Sequence, residues 1–113
     1  MDNQTNRPAE EQLQAWREKF GKVFVMESEE EVNGETLCIV ARKPSRASFE
    51  RYQDEVIKKG AKAMLQFVKE NVLFPSKESM AAILDDKPGI ASAIATNLQD
   101  VMGVSVTFTM TES

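Results

Sequence analysis

The chain has 113 residues, of which 42% are hydrophobic and 28% are charged, and its formal net charge is −4. This length and composition are typical of one globular domain, spanning residues 1–113, that buries its own core, and the acidic balance is unfavourable for binding nucleic acid. No apolar run approaches the roughly 18 residues that span a bilayer, and no signal peptide is recognisable at the start. We therefore expect a cytoplasmic protein that binds no membrane.

The N-terminal part predicts a short polar segment followed by a helix. Residues 1–8 are polar and are expected to be disordered. A helix is expected to begin at Pro8 or Ala9, because proline and the acidic residues that follow favour a first turn. It should end before Gly21.

A β-hairpin is predicted next. Its strands are expected over 22–28 and 36–41, joined by Asn33 and Gly34, since this dipeptide favours the type I′ turn of a hairpin. Both strands carry apolar residues on both faces, and a two-stranded ribbon of this kind is marginal alone. Each face must therefore be covered by a helix, a third strand or another subunit.

Four helices are predicted after the hairpin. Ser45 is placed to cap the first, which breaks at Gly60, and the second is expected over 61–73, where the following Phe-Pro pair stops it. Ser76 is placed to cap a short third helix, and the fourth should end at Gly103. The apolar positions that recur at helical spacing are Phe49, Tyr52, Val56, Ile57, Met64, Leu65, Val68, Val72, Met80, Ile83, Leu84, Ile90, Ile94, Leu98, Val101 and Met102.

The C-terminal segment alternates apolar and polar residues strictly from Val104 to Met110. This pattern predicts a half-buried strand, either a third strand on the hairpin or a strand offered to a partner. The fold class is therefore α+β, with an N-terminal helix and a β-hairpin, a bundle of about four helices and a possible C-terminal strand.

The residue types that usually carry chemistry are mostly absent or have structural explanations. A Ser-Lys dyad is the alternative that stays open, since serines and lysines are numerous, but no pair is singled out. The sequence contains no histidine, the commonest general base and metal ligand. Cys38 falls within a predicted strand, where it is expected to pack as a small side chain, and the adjacent Asp85 and Asp86 are expected to end one helix and cap the next. All five glycines fall at predicted boundaries and leave no phosphate-binding loop. We therefore expect no enzyme: no catalytic residues, no cofactor and no metal.

Three segments resemble a known class of protein. Residues 16–52 contain a GKV strand, a hairpin and the sequence ARKPSRASFERY before the helices. Together with KENVLFP at 69–75 and KPGIA at 87–91, they resemble small phage and prophage proteins of the tail assembly chaperone class. The likeness extends from about Trp16 to Gly103.

The resemblance implies a non-enzymatic protein of virion morphogenesis in the bacterial host cytoplasm. It implies a homo-oligomer whose partners are the tape measure protein, which it coats, and the tail tube protein, whose polymerisation it aids. A structural phage component, such as a head-tail connector or minor tail protein, is the alternative. A small-ligand-binding protein is a third interpretation.

The candidate residues for binding a protein partner are those that could form an exposed apolar surface. A chaperone for an amphipathic helix needs a larger apolar patch than a monomer normally exposes. Core packing is the alternative interpretation for each of them. The candidates, from the hairpin, the last helix and the C-terminal segment, are Val23, Phe24, Val25, Met26, Ile90, Ile94, Leu98, Val101, Val106 and Phe108.

Overall fold

The structure is a computed structural model that describes residues 7–113, and these residues form five helices and three strands. The expectation for residues 1–8 therefore lies largely outside the described residues. The α+β class is confirmed: an N-terminal helix and a β-hairpin precede four further helices. In chain order the elements are α1 (Glu10–Phe20), β1 (Val23–Glu27), β2 (Cys38–Arg42), α2 (Arg46–Lys59), α3 (Ala61–Asn71), β3 (Val72–Phe74), α4 (Lys77–Asp86) and α5 (Gly89–Val101).

The predicted hairpin is confirmed. β1 and β2 pair antiparallel, with Val25 opposite Val40. At the tip, Asn33 and Gly34 have φ values of 54° and 87°, the positive angles that a type I′ turn needs at both central residues. The Val32–Glu35 bridge closes this turn at the far end of the loop that joins β1 to β2.

The third strand is not the predicted C-terminal segment. β3 pairs antiparallel with the free edge of β2, with Phe74 opposite Val40 and Val72 opposite Ala41, and the preceding helix ends at Asn71 rather than at residue 73. β-Branched and aromatic side chains favour extended backbone, and a residue before proline avoids the helical region. Residues 104–113, all of them described, form no strand.

The helix boundaries follow the predicted signals. The Ser45 hydroxyl accepts a hydrogen bond from the Ser48 backbone N–H (3.0 Å), and Ser76 caps α4 in the same way. Gly60, with φ 55°, is the one residue between α2 and α3. The predicted cap on α5 is wrong: Pro88 occupies the N-cap position without a side-chain hydrogen bond, and the Asp86 carboxylate instead accepts one from the Asn33 amide (3.3 Å).

Hydrophobic clusters cover both faces of the sheet. Ile39 and Ala41 of β2 belong to the larger cluster, and Cys38 and Val40 to the smaller one, as the alternation of side chains along a strand requires. The larger cluster contains residues of α2, α3, α4 and α5, whereas the smaller one contains Leu13 of α1. Cys38 is buried, as predicted. The sheet therefore lies between α1 on one side and the four later helices on the other.

Candidate protein-binding surfaces

The structure divides the candidate binding residues between core and surface. Ile94 and Leu98 are 4% and 0% exposed, because α5 packs them into the larger cluster with α3 and α4. This corrects their assignment to a partner-binding face. Met26 and Ile90 are half-buried against the same cluster, and Val23 packs against the smaller one.

The C-terminal segment holds four of the six exposed large hydrophobic side chains among the described residues. Val104, Val106, Phe108 and Met110 are 53%, 59%, 89% and 92% exposed. We call residues 104–110 the apolar tail. Its base is anchored by a hydrogen bond from the Val104 backbone N–H to the Gln99 carbonyl (3.1 Å), after which its apolar side chains extend into solvent. Scattered exposed apolar residues are normal, but a continuous row is typical of an interaction site.

The first strand provides a second surface. Among the described residues, β1 pairs with β2 along one edge and has no strand on the other. Val25 is 42% exposed, and Phe24 is half-buried. We call this strand, Val23–Glu27, the β1 edge. An unpaired edge offers backbone N–H and C=O groups to an extended segment of another chain. Val101 is half-buried at the end of α5 and belongs to neither surface.

A groove that sequence reasoning missed lies between α3 and α4. We call it the α3–α4 groove; its volume is about 620 Å³. Buried and half-buried apolar side chains form its floor, and exposed lysines surround it. The floor consists of Leu65, Val72, Pro75 and Met80, and the surrounding lysines are Lys62, Lys69 and Lys77.

Part of the groove could have been found from the sequence. Lys62, Leu65 and Lys69 recur at i, i+3 and i+7, so they share one face of α3. The opposite wall depends on where β3 and α4 pack. No local pattern in the sequence specifies that position.

A polar network joins the wall of the groove to α2. The Glu70 carboxylate accepts hydrogen bonds from the Ser48 hydroxyl (2.8 Å) and the Gln66 amide (3.1 Å), and it forms an ion pair with Arg51. Burial raises the pKa of Glu70, but these hydrogen bonds and the Arg51 charge outweigh it and leave the pKa below its ordinary value. Glu70 is therefore an ionised link between two helices.

Asn71 continues this network into the interior. Its side chain is fully buried, and its amide donates hydrogen bonds to the Phe67 carbonyl (2.8 Å) and the Ser48 hydroxyl (3.3 Å). Its carbonyl oxygen accepts one from Arg42 Nε (3.3 Å). A buried amide needs such partners to offset the loss of water. Asn71 thus ties α3 to both α2 and β2 and holds the groove wall in place.

Residues 7–113 lack two further types of site. No group of three or more histidine, cysteine, aspartate or glutamate residues in this range is placed to hold a metal ion. Likewise, no helix in the range is long and apolar enough to cross a membrane.

The fold and these surfaces define a small α+β domain whose distinctive features are exposed apolar segments. Residues 16–111 match the family model described as "Domain of unknown function (DUF6848)", and the chain belongs to that family. The chain is also similar in fold to the solved structure of the uncharacterised protein rbstp2171 from Bacillus stearothermophilus, with a TM-score of 0.73 and 17% sequence identity. The similarity covers 88% of this chain and 99% of that one. No curated protein matches the chain.

Proposed function

We propose that the protein is a non-enzymatic tail assembly chaperone of phage morphogenesis. It binds the tape measure protein in the host cytoplasm and aids polymerisation of tail tube subunits. The exposure of the apolar tail is the observation that carries this proposal. The sequence resemblance to phage tail assembly chaperones supplies the identity of the partners.

The physical argument rests on surface that the fold leaves uncovered. A chaperone for a long amphipathic client must present apolar side chains that its own core does not use. The apolar tail and the β1 edge have this character, with Phe108 89% exposed and Val25 42% exposed. Val25 and Phe108 belong to neither hydrophobic cluster, so a partner can cover these side chains without unfolding the domain.

Co-expression with the tape measure protein tests the proposal. The soluble fraction of the tape measure protein should rise when this chain is present, and the two proteins should co-purify. Val25→Lys should weaken co-purification because it places a charge on the β1 edge. Thr36→Lys adds the same charge at an exposed position outside the strands, and it should leave co-purification unchanged.

Mass spectrometry of purified phage particles separates a chaperone from a structural component. A chaperone should be absent from the finished particle. Recovery of this chain in particles at a stoichiometry comparable to other tail proteins would identify a connector or minor tail protein instead. Failure to increase the solubility of the tape measure protein would also contradict the proposal.

A further inference from the structure

We infer that the apolar tail of one copy docks into the α3–α4 groove of a second copy, so that the chains associate head to tail. This inference goes beyond the proposed function and does not depend on the identity of any client. It connects two features that the structure leaves unmatched within one molecule. One is the exposed apolar tail, and the other is the α3–α4 groove.

The groove has the chemistry of a peptide-binding site. Its volume of about 620 Å³ lies within the range of about 300–1,000 Å³ that is typical of ligand pockets. The half-buried side chains of Leu65 and Val72 supply apolar surface to it, and Met80, which is buried in the larger cluster, also lines it. The occupant should therefore present apolar side chains.

The lysines around the groove restrict the charge of that occupant. Lys62, Lys69 and Lys77 all border it, and no ion pair is found for them among the described residues. Glu70, the acidic residue in the lining, is already paired with Arg51. The groove therefore favours an apolar segment that carries a negative charge.

The apolar tail matches both requirements. Val104 lies in the turn that follows α5, where the Val106 backbone N–H donates a hydrogen bond to the Gly103 carbonyl (3.1 Å). When residues 106–110 are extended in the groove, alternate side chains lie on one side about 6.6 Å apart, so Val106, Phe108 and Met110 form one continuous apolar edge. The intervening residues are threonines, which remain compatible with solvent. Glu112 is the one charged residue within 104–113, and it lies two residues after Met110. Its carboxylate can therefore reach the lysines when the edge occupies the groove.

Docking between copies follows from the state of both surfaces in one molecule. The tail side chains are exposed and do not line the groove of their own chain. Every copy carries one tail and one groove, and these surfaces are different. The contact is therefore heterologous, and each added copy presents a new tail and a new groove.

Analytical ultracentrifugation of two variants of the full chain tests this arrangement. Phe108→Asp removes the tail contact and keeps the groove, whereas Lys69→Glu reverses a groove charge and keeps the tail. The unmodified chain should form dimers and larger species as its concentration rises. Each variant alone should associate at least about tenfold more weakly, as expected for a central contact.

Complementation distinguishes head-to-tail docking from other contacts. Leu65→Glu disrupts the groove floor more strongly than Lys69→Glu does, and circular dichroism will establish whether the Leu65→Glu variant folds. Lys69 is exposed, so the Lys69→Glu variant should fold. A mixture of Phe108→Asp with the folded Leu65→Glu variant should restore one interface and stop at a heterodimer. If Leu65→Glu does not fold, the charge pair replaces it: Glu112→Lys should weaken association, and mixing it with Lys69→Glu should restore it.

Matched controls locate the effect. Thr107→Asp places the same charge beside Phe108 on the polar side of the tail, and Lys58→Glu reverses an exposed charge on α2. Both controls should associate like the unmodified chain. A chain that stays monomeric at about 100 μM would overturn the inference, since such a contact would have a dissociation constant too weak to matter. Loss of association in Val25→Lys but not in Lys69→Glu would also overturn it, because the tail would then pair with the β1 edge.

Discussion

The aromatic ring of Tyr52 on α2 stacks on the ring of Phe67 on α3, with centroids 4.4 Å apart and planes inclined by 14°. Phe67 is 1% exposed and also contacts the ring of Phe49 at a centroid distance of 6.4 Å. The pair therefore joins the two helices at the centre of the larger hydrophobic cluster.

Phe67→Ala should lower the free energy of unfolding by about 3–5 kcal/mol, because it removes a buried ring and leaves a cavity. Urea denaturation followed by circular dichroism measures this change. Ile57→Ala is the matched control, since Ile57 lies on α2 but is 88% exposed, and its effect should stay within about 0.5 kcal/mol. Similar losses in the two variants would show that the ring pair is not central to the core.

Glu70 should make the stability depend on pH. Because its pKa is lower in the folded chain than its ordinary value of 4.5, its contribution is fully present above that value and is lost as the pH falls through the folded pKa. Glu70→Gln should lower the free energy of unfolding by about 1–3 kcal/mol near pH 7, as expected for lost hydrogen bonds to a charged group. The difference from the unmodified chain should shrink at about pH 3.

Urea denaturation at the two pH values provides the measurement for Glu70. Glu50→Gln is the control, because the Glu50 side chain is 54% exposed and its partner Arg46 is 88% exposed. Such a surface pair should contribute less than about 1 kcal/mol. A Glu70→Gln effect that is equal at both pH values would show that ionisation of the Glu70 carboxyl does not contribute to stability.

Substitution by aspartate should affect folding at Leu98 on α5 but not at Phe108 in the apolar tail. Leu98→Asp should abolish folding, since it places a carboxylate at a position that is 0% exposed. Phe108→Asp should leave the unfolding midpoint of the monomer unchanged, since that side chain is 89% exposed. Circular dichroism and thermal unfolding at low protein concentration check both outcomes. A folded Leu98→Asp variant would contradict the placement of α5 in the core.

The hairpin turn should be sensitive to a side chain at Gly34. Gly34 has φ 87°, and an added Cβ would meet no atom within 4 Å, so the cost is purely conformational. Gly34→Ala should lower the free energy of unfolding by about 1–2 kcal/mol. Gly89→Ala also has open space but no positive φ, and it should be neutral or stabilising by up to about 1 kcal/mol. Equal effects in a thermal unfolding series would count against the type I′ turn.

The elements whose signals are local were predictable from the sequence. Asn33-Gly34 located the hairpin, and Ser45 and Ser76 located the starts of α2 and α4. β3 was missed because Val72 also continues the apolar spacing of Val68 on α3, and a strand of three residues has too few positions to show a period of two.

The candidate surfaces required the tertiary arrangement. Alternation in 104–110 predicted a strand, either on the hairpin or offered to a partner. Within the chain the segment forms no strand and its apolar side chains are exposed, and the partner-bound strand stays a prediction. Helical spacing alone could not separate core from surface on α5, where Leu98 is buried. The α3–α4 groove depends on how β3 and α4 pack, and no local pattern specifies this. The phage assignment and the absence of enzymatic activity stay predictions from the sequence.

The connection between β2 and β3 consists almost wholly of α2 and α3, and this topology has a kinetic consequence. Closing a strand pair over a long flexible loop costs entropy, whereas prior packing of Tyr52 on Phe67 brings the ends together. We therefore expect α2 and α3 to pack together before β3 pairs with β2. In stopped-flow experiments, Phe67→Ala should mainly slow folding, and Val72→Ala should mainly accelerate unfolding.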